Sequence, residues 1–244
     1  MLLQTLEKIY DLLISEFEDG TADPPALLRK MCAFYGLASA AYFGVNVQKS
    51  TAADPFLTVT YSSDWVTHYK KSNYVTLDPV IRSGFSAVLP VEWNGHDHRG
   101  AKFRRFFGEA SEFGIGYNGL TIPVRGRSGD RALFTITGNG SPEKWRRDLK
   151  YLKRDFQMFA YLFHQMVTRR GNPERPMVSL APREVECLKW KATGKTDWET
   201  SMIMGISEKT VRFYVNLILS KLGAANMTHA VTKAYNENIL IGPP

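Results

Sequence analysis

The side chains of this 244-residue chain that could do chemistry gather in two stretches. Between positions 61 and 135 stand Tyr61, Trp65, Tyr69, Asp78, Val80, Trp93, Ile115 and Thr135, a carboxylate and a few hydroxyl and indole groups among apolar neighbours. A carboxylate accepts from an N–H, whereas a phenol or an indole N–H donates to a carbonyl, so such a set suits a small polar headgroup in a mostly apolar cavity. Taken singly, each aromatic reads as core, and Asp78 before Pro79 reads as a helix or turn cap. The second stretch carries Lys209, Thr210, Arg212 and Asn216, groups able to pair with phosphates and base edges.

Other constellations carry less. Gly114-x-Gly116-x-x-Gly119 has dinucleotide-loop spacing, but it follows a predicted helix and precedes a predicted strand, the wrong order. His96-Asp97-His98 lacks a third metal ligand at motif spacing and reads as an exposed polar loop. His68, in the Trp65 helix, reads as solvent-facing or structural. No Ser/His/Asp or Cys/His arrangement has a local signature, and Cys32 and Cys187 stand far apart without a CxxC partner. No enzyme, metal site or disulfide scaffold is therefore expected.

The elements that must position these groups follow from periodicity. Leu2, Leu3, Leu6, Ile9, Leu12, Leu13 and Phe17 keep helical spacing, and a second helix starts at Pro24–Pro25. Residues 40–47, 56–61, 87–91, 119–124 and 132–137 read as strands, the last two joined by Gly126-Arg127-Ser128-Gly129. Ser63 or Asp64 is expected to cap a short helix carrying Trp65 and Tyr69, and another helix spans 102–113. The prediction is a mixed sheet with helices on its faces, an α/β fold of α-β-α sandwich type. Residues 142–170, capped by Ser141, form the clearest long helix. On it Trp145, Leu149, Leu152, Phe156, Phe159, Phe163 and Met166 make one stripe, suited to the domain's own sheet or to a symmetry-related copy. Gly171, Pro173 and Pro176 mark a linker, which gives a front domain over 1–170, a linker over 171–179 and a small all-α domain over 180–244.

Composition narrows the class. With 44% apolar and 12% aromatic residues the chain is not disordered, and no apolar run approaches the ~18 residues of a membrane span. The first 18 residues carry Glu7, Lys8, Asp11 and Glu16 inside their apolar pattern, unlike a signal peptide, so a soluble cytoplasmic protein without a membrane partner is expected. The net charge of +7 is uneven: residues 1–98 hold 7 Lys/Arg against 11 Asp/Glu, residues 99–170 hold 15 against 6, and residues 171–244 hold 9 against 7. A basic balance points to an acidic partner such as nucleic acid; a solvated helix surface explains the middle block equally well.

From Leu180 the pattern becomes specific. Ala181-Pro182-Arg183-Glu184 opens a helix stopped by Gly194, and a second helix spans 196–204. Gly205-Ile206 is a tight turn, Ser207 caps a third helix ending at Gly223, and a fourth runs over 228–236. Two short helices about a glycine-containing turn make a helix-turn-helix, whose second helix enters the DNA major groove. On that helix Val211, Val215, Ile218 and Leu222 point inward, while Lys209, Arg212, Phe213 and Asn216 share the exposed side. Leu180, Arg183-Glu184, Leu188, Gly194-Lys195, Ile206-Ser207, Thr210-Val211 and Lys221-Leu222 together resemble the LuxR-type helix-turn-helix. The resemblance implies that Lys209, Thr210, Arg212 and Asn216 face DNA, Arg212 on a guanine or phosphate and Asn216 on an adenine. Three positions depart from the pattern. Ala181 replaces a Thr or Ser cap, at a cost of ~1 kcal/mol unless Ser179 compensates. Tyr214 stands where His is frequent, and Met227 replaces a common Arg, removing one expected phosphate contact. Modest non-specific affinity follows.

The front part offers no receiver-type acidic pair, post-strand Asp and later Lys on a βα repeat. Instead, Trp65-Val-Thr-His-Tyr69, Tyr74-Val75, Asp78-Pro79-Val80, Trp93 and Gly119-Leu120-Thr121-Ile122-Pro123 resemble the acyl-homoserine-lactone-binding domain of quorum-sensing regulators. The resemblance implies a lactone ligand and no cofactor. Asp78 would accept from the amide N–H, Trp65 would donate to the lactone carbonyl and Tyr61 to the amide carbonyl. Tyr69 and Trp93 would wall the pocket, Val80 and Ile115 would line it, and Thr135 would bond near the amide. Phe43 and Tyr42 hint at a short, branched or aryl acyl tail. The function expected is a signal-responsive transcription factor. It would dimerise through residues 142–170, read a two-fold symmetric promoter site and work with RNA polymerase. A regulator sensing another small molecule or none is the alternative, followed by a lactone-processing enzyme fused to a DNA-binding tail.

Overall fold

A computed structural model describes residues 7–8, 11–12, 14–16, 23–48, 50–51, 54–93, 101–126, 129–171, 178–237 and 239–240. Most of the predicted first helix, the His96-Asp97-His98 loop, Arg127-Ser128 and most of the predicted linker lie outside these residues. The chain forms two compact units, one with the sheet and the helices up to Gly171, the other with the helices from Pro182 onward.

Local chemistry sets each element. Asp23 accepts from the Ala26 N–H and Pro24 and Pro25 occupy the first turn of α1 (Pro24–Tyr35), which Gly36 ends at φ +62. The strands are β1 (Ser39–Val45), β2 (Phe56–Val59), β3 (Val91–Glu92), β4 (Asn118–Arg125) and β5 (Arg131–Gly138). Their order is β2-β1-β5-β4-β3, and every pair is antiparallel, so the sheet is not mixed. Periodicity identifies strands but carries no direction. The strand predicted over 87–91 shrinks to Val91–Glu92, because Ala87 is drawn into the end of a helix, its N–H donating to Ser83 and Gly84.

Between β2 and β4 come α2 (Ser63–Lys71), a 3-10 turn (Tyr74–Thr76), α3 (Pro79–Ser86) and α4 (Ala101–Glu112). The cap of α2 is Ser62, whose Oγ accepts from the Trp65 N–H at 3.2 Å, and not Ser63 or Asp64. After β5, α5 (Pro142–Gly171) runs for 30 residues.

Alternation along the strands divides the sheet's two faces. Tyr42, Leu120, Ile122, Phe134 and Ile136 join the core shared with α1 and α5. Ala41, Phe43, Leu133 and Thr135 point the other way, toward α2, α3 and α4. The α5 stripe from Trp145 to Met166 belongs wholly to the first core, each of its seven residues being buried. It therefore packs on its own sheet and is not available to a second copy. Two polar pairs fix that packing: the Tyr35 hydroxyl donates to Asp155 at 3.0 Å, and Tyr42 meets His164 Nδ1 at 2.6 Å. Several basic side chains of α5 pair with acids of the same helix, Arg146 on Glu143, Lys144 and Arg147 on Asp148, and Arg154 on Asp155, while Lys153 reaches Glu92 of β3.

The C-terminal unit holds α6 (Pro182–Ala192), α7 (Asp197–Met204), α8 (Glu208–Leu222) and α9 (Met227–Asn236) around Cys187, Leu188, Met204, Val211, Ile218 and Leu222. Glu184 answers the missing cap at Ala181: its carboxylate accepts from the Ala181 N–H at 2.7 Å, while Ser179 stays exposed. The same carboxylate, only 4% exposed, takes Lys221 Nζ at 2.7 and 2.8 Å. Burial opposes its charge, but Lys221 and the Ala181 N–H hold its pKa below the ordinary range. Lys221→Met, which strands this carboxylate, is expected to destabilise the C-terminal unit by about 3 kcal/mol, read by calorimetry of the full chain.

Candidate functional site

The second face of the sheet does not close on its helices. It leaves a cavity of about 390 Å³, within the range of small-molecule sites. Tyr61, Trp65, Tyr69, Asp78, Val80, Trp93, Ile115 and Thr135 all line it, brought together from α2, α3, β5 and the segments between elements. Phe43 lines it too, whereas Tyr42, one residue away, is on the opposite face with Phe163 and His164. The expectation that Tyr42 helps shape an acyl-tail pocket is corrected by that parity.

Asp78 is both a cap and a cavity group. Its Oδ1 accepts from the Val80 N–H at 2.8 Å, opening α3, and its Oδ2 accepts from the Tyr69 hydroxyl at 2.9 Å. Enclosure pushes its carboxyl up to about 6, although bonds from Tyr69, Val80 and Ile81 favour the charged form. Burial, and then the nearby Asp78 charge, raise the pKa of the Tyr61 and Tyr69 hydroxyls well above the ordinary phenol range. Both remain donors at neutral pH. Trp65, 3% exposed, is ringed by Tyr69, Tyr74, Phe106 and Phe113 at centroid distances of 5.8, 6.2, 6.1 and 5.4 Å. Its indole N–H has no acceptor among the described residues, so a guest can take it.

Trp93 differs. Its indole N–H donates to Thr121 Oγ1 at 3.0 Å, and Thr121 in turn bonds Thr135 Oγ1 at 3.0 Å, which makes Trp93 a wall and not a donor to the cavity. The ring lies flush on Gly119, where an added Cβ would stand 2.0 Å from Trp93 Cδ2. The dinucleotide-like glycine spacing thus has three separate causes. Gly114 turns the chain at φ +78, Gly116 packs on the Gly138 backbone, and Gly119 makes room for Trp93.

One constellation escaped the sequence reading. Glu109 on α4 accepts from Arg105 Nε and faces His68 Nε2, both at 2.6 Å, and also takes the Tyr74 hydroxyl. These three hydrogen bonds hold its carboxyl down to about 2. His68, stacked on Phe113 at 5.4 Å, is structural: this cluster ties α4 to α2 and sets the aromatic wall. Phe106 and Phe107, also in that wall, read in sequence only as the apolar side of an amphipathic helix.

In the C-terminal unit, Thr196 and Glu199 form a capping box at the start of α7 and Gly205, at φ +65, makes the turn. Ser207 Oγ then accepts from the Thr210 N–H at 3.1 Å to open α8. Lys209, Arg212 and Asn216 are exposed on α8; Thr210 is half-buried and its hydroxyl meets Ser207 Oγ at 2.8 Å. Arg212 lies 3.5 Å from Asp197 and 3.6 Å from Glu208. Tyr214 and Met227 both pack against the unit's core, which accounts for their departure from the expected His and Arg.

A small-molecule cavity in one unit and a helix-turn-helix in the other define a ligand-sensing regulator of transcription. Residues 23–167 match the family described as autoinducer binding domain, and residues 178–234 match bacterial regulatory proteins of the luxR family. The chain belongs to the LuxR-type quorum-sensing transcriptional regulators, proteins that take a small-molecule ligand and are not enzymes. It is 33% identical over 196 residues to the transcriptional activator RaiR of Rhizobium etli, covering 80% of this chain and 77% of RaiR. It is 32% identical over 235 residues to the quorum sensing-dependent regulator RpaR of Rhodopseudomonas palustris, covering 93% and 88%. Among solved structures, SdiA of Escherichia coli matches with a TM-score of 0.62 at 18% identity, over 95% of this chain and 98% of that one. CepR2 of Burkholderia cenocepacia, described as N-acylhomoserine lactone dependent, matches with a TM-score of 0.54 at 22% identity, over 70% and 97%. Both share the fold. No described helix is long and apolar enough to cross a membrane.

Enclosing Asp78 has a pH signature. Its folded pKa lies above the unfolded value, so the burial cost is absent below about pH 4 and fully present above about pH 6. Asp78→Asn keeps the cap but never carries charge. The ligand-free variant is expected to be more stable than the parent at pH 7.5 by about 2 kcal/mol, with the difference fading toward pH 4 in urea titrations at both pH values.

Proposed function

We propose that this protein is a cytoplasmic acyl-homoserine-lactone receptor that binds, as a homodimer, a two-fold symmetric promoter site and regulates transcription there with RNA polymerase. The observation that carries the lactone is the meeting of Asp78, Trp65 and Tyr61 on one apolar cavity of about 390 Å³. A lactone of this class offers an amide N–H, an amide carbonyl and a lactone carbonyl. Asp78 accepts from the N–H, Trp65 donates to the lactone carbonyl and Tyr61 to the amide carbonyl, while Thr135 lies near the amide. Tyr69, Val80, Trp93 and Ile115 complete the walls, and Phe43 beside them favours a short, branched or aryl tail. In this reading residues 1–170 sense and dimerise, 171–179 link, and 180–244 bind DNA through Lys209, Thr210, Arg212 and Asn216.

Since the long apolar stripe of α5 is covered by its own sheet, the dimer seam falls on the helix's other side. There Tyr151, Met158 and Tyr161 are 38%, 58% and 45% exposed, at steps of seven and three on one face. A second reading keeps the regulator but changes the signal, because SdiA has been solved in complex with octanoyl-rac-glycerol, which offers hydroxyls where a lactone offers an amide.

Thermal unfolding against a panel of acyl-homoserine lactones and octanoyl-glycerol separates the readings. A lactone at a hundred times its Kd should add ~2.7 kcal/mol, and Asp78→Asn should lose most of that gain. A shift with the glycerol ester alone would move the chain to the second reading, and an undiminished lactone shift in Asp78→Asn would remove the pocket assignment. Met158→Lys is expected to turn a ligand-bound dimer into monomer in analytical ultracentrifugation while leaving the lactone shift intact. A dimer that survives would exclude this face as the seam.

A further inference from the structure

The DNA-facing side of α8 carries a side chain that charge recognition does not explain. Phe213 is 58% exposed, the largest exposed apolar group on that helix among the described residues. The helix buries Val211, Ile218 and Leu222, so Phe213 is not needed to cover the core, and its nearest ring is Tyr214 at a centroid distance of 6.0 Å. Lys209 lies four residues before it and Asn216 three after, which puts all three on one stretch of helix face, with Arg212 alongside. That face is polar and basic except at this one position.

The major groove offers a matching exception. Among the groups that base pairs present there, the C5-methyl of thymine alone is apolar, and it takes contacts from apolar side chains, phenylalanine included. We propose that Phe213 is a specificity-determining residue that covers a thymine methyl beside the bases met by Arg212 and Asn216. The inference rests on the DNA-binding role of α8 and adds to it which base the apolar position selects. Lys209, and Arg212 once drawn from Asp197 and Glu208, meet the duplex by charge; Phe213 contributes sequence preference and no phosphate affinity.

The test removes the methyl from the DNA and leaves the protein intact. A random duplex library is selected with the full chain, alone and with each lactone of the panel, and every thymine of the enriched site is replaced in turn by uracil. At one thymine per half-site the replacement should weaken binding about four-fold, the worth of burying one methyl group. Phe213→Ala should bind the thymine and uracil duplexes equally, and Phe213→Leu should restore part of the difference. The slope of affinity against salt should be unchanged in both variants. If no uracil replacement weakens the parent, or if Phe213→Ala still distinguishes thymine from uracil at that position, the proposal is overturned. Failure to enrich any site would instead remove the DNA-binding reading beneath it.

Discussion

The cavity side of the front unit depends on one enclosed carboxylate for which no ion pair is seen among the described residues. Both oxygens of Asp78 are already engaged, one by the Val80 N–H at the start of α3 and one by the Tyr69 hydroxyl from α2. Those bonds fix the spacing between two helices and the direction in which the remaining lone pairs face. A guest with an N–H completes the group's coordination, whereas a guest without one leaves charge in an apolar wall. In the proposed reading the acid is thus a structural joint and a selector at once.

The sheet lets these tasks coexist. One face is packed by α1 and α5 with aromatic rings such as Phe134, Phe156 and Phe163, each almost fully buried. The other is lined by the alternate residues of the same strands and remains open enough for a ligand. Rigidity and vacancy thus come from successive residues of one strand, as the neighbours Tyr42 and Phe43 show. The aromatic ring around Trp65 is held in turn by the Glu109 cluster, whose charges lie outside the apolar wall they brace.

The sequence was most informative where neighbours in the chain decide the structure. Caps, glycine stops and the two helices of the C-terminal motif can be placed from spacing alone, and the cavity-lining residues stand at distances that a family resemblance makes readable. Parity and pairing were harder. A one-residue shift along β1 sends Tyr42 to the core and Phe43 to the cavity. The Trp145-to-Met166 stripe looks the same whether its partner is the chain's own sheet or another molecule. Glu184 and Lys221 stand 37 residues apart, and neither position announces that the two meet. Phe106 and Phe107 look like ordinary core, since nothing local marks which apolar surface will be left uncovered.

The setting of Arg212 bears on how the molecule would experience ionic strength. Its guanidinium is 66% exposed yet already lies beside the carboxylates of Asp197 and Glu208. Any polyanion approaching α8 meets a cation that carries its own counter-charges. Exchanging them for phosphates releases fewer bound ions than the number of basic side chains would suggest. Such a surface discriminates by geometry more than by charge: it discourages loose residence on arbitrary duplexes and leaves selection to the few groups that reach the base edges.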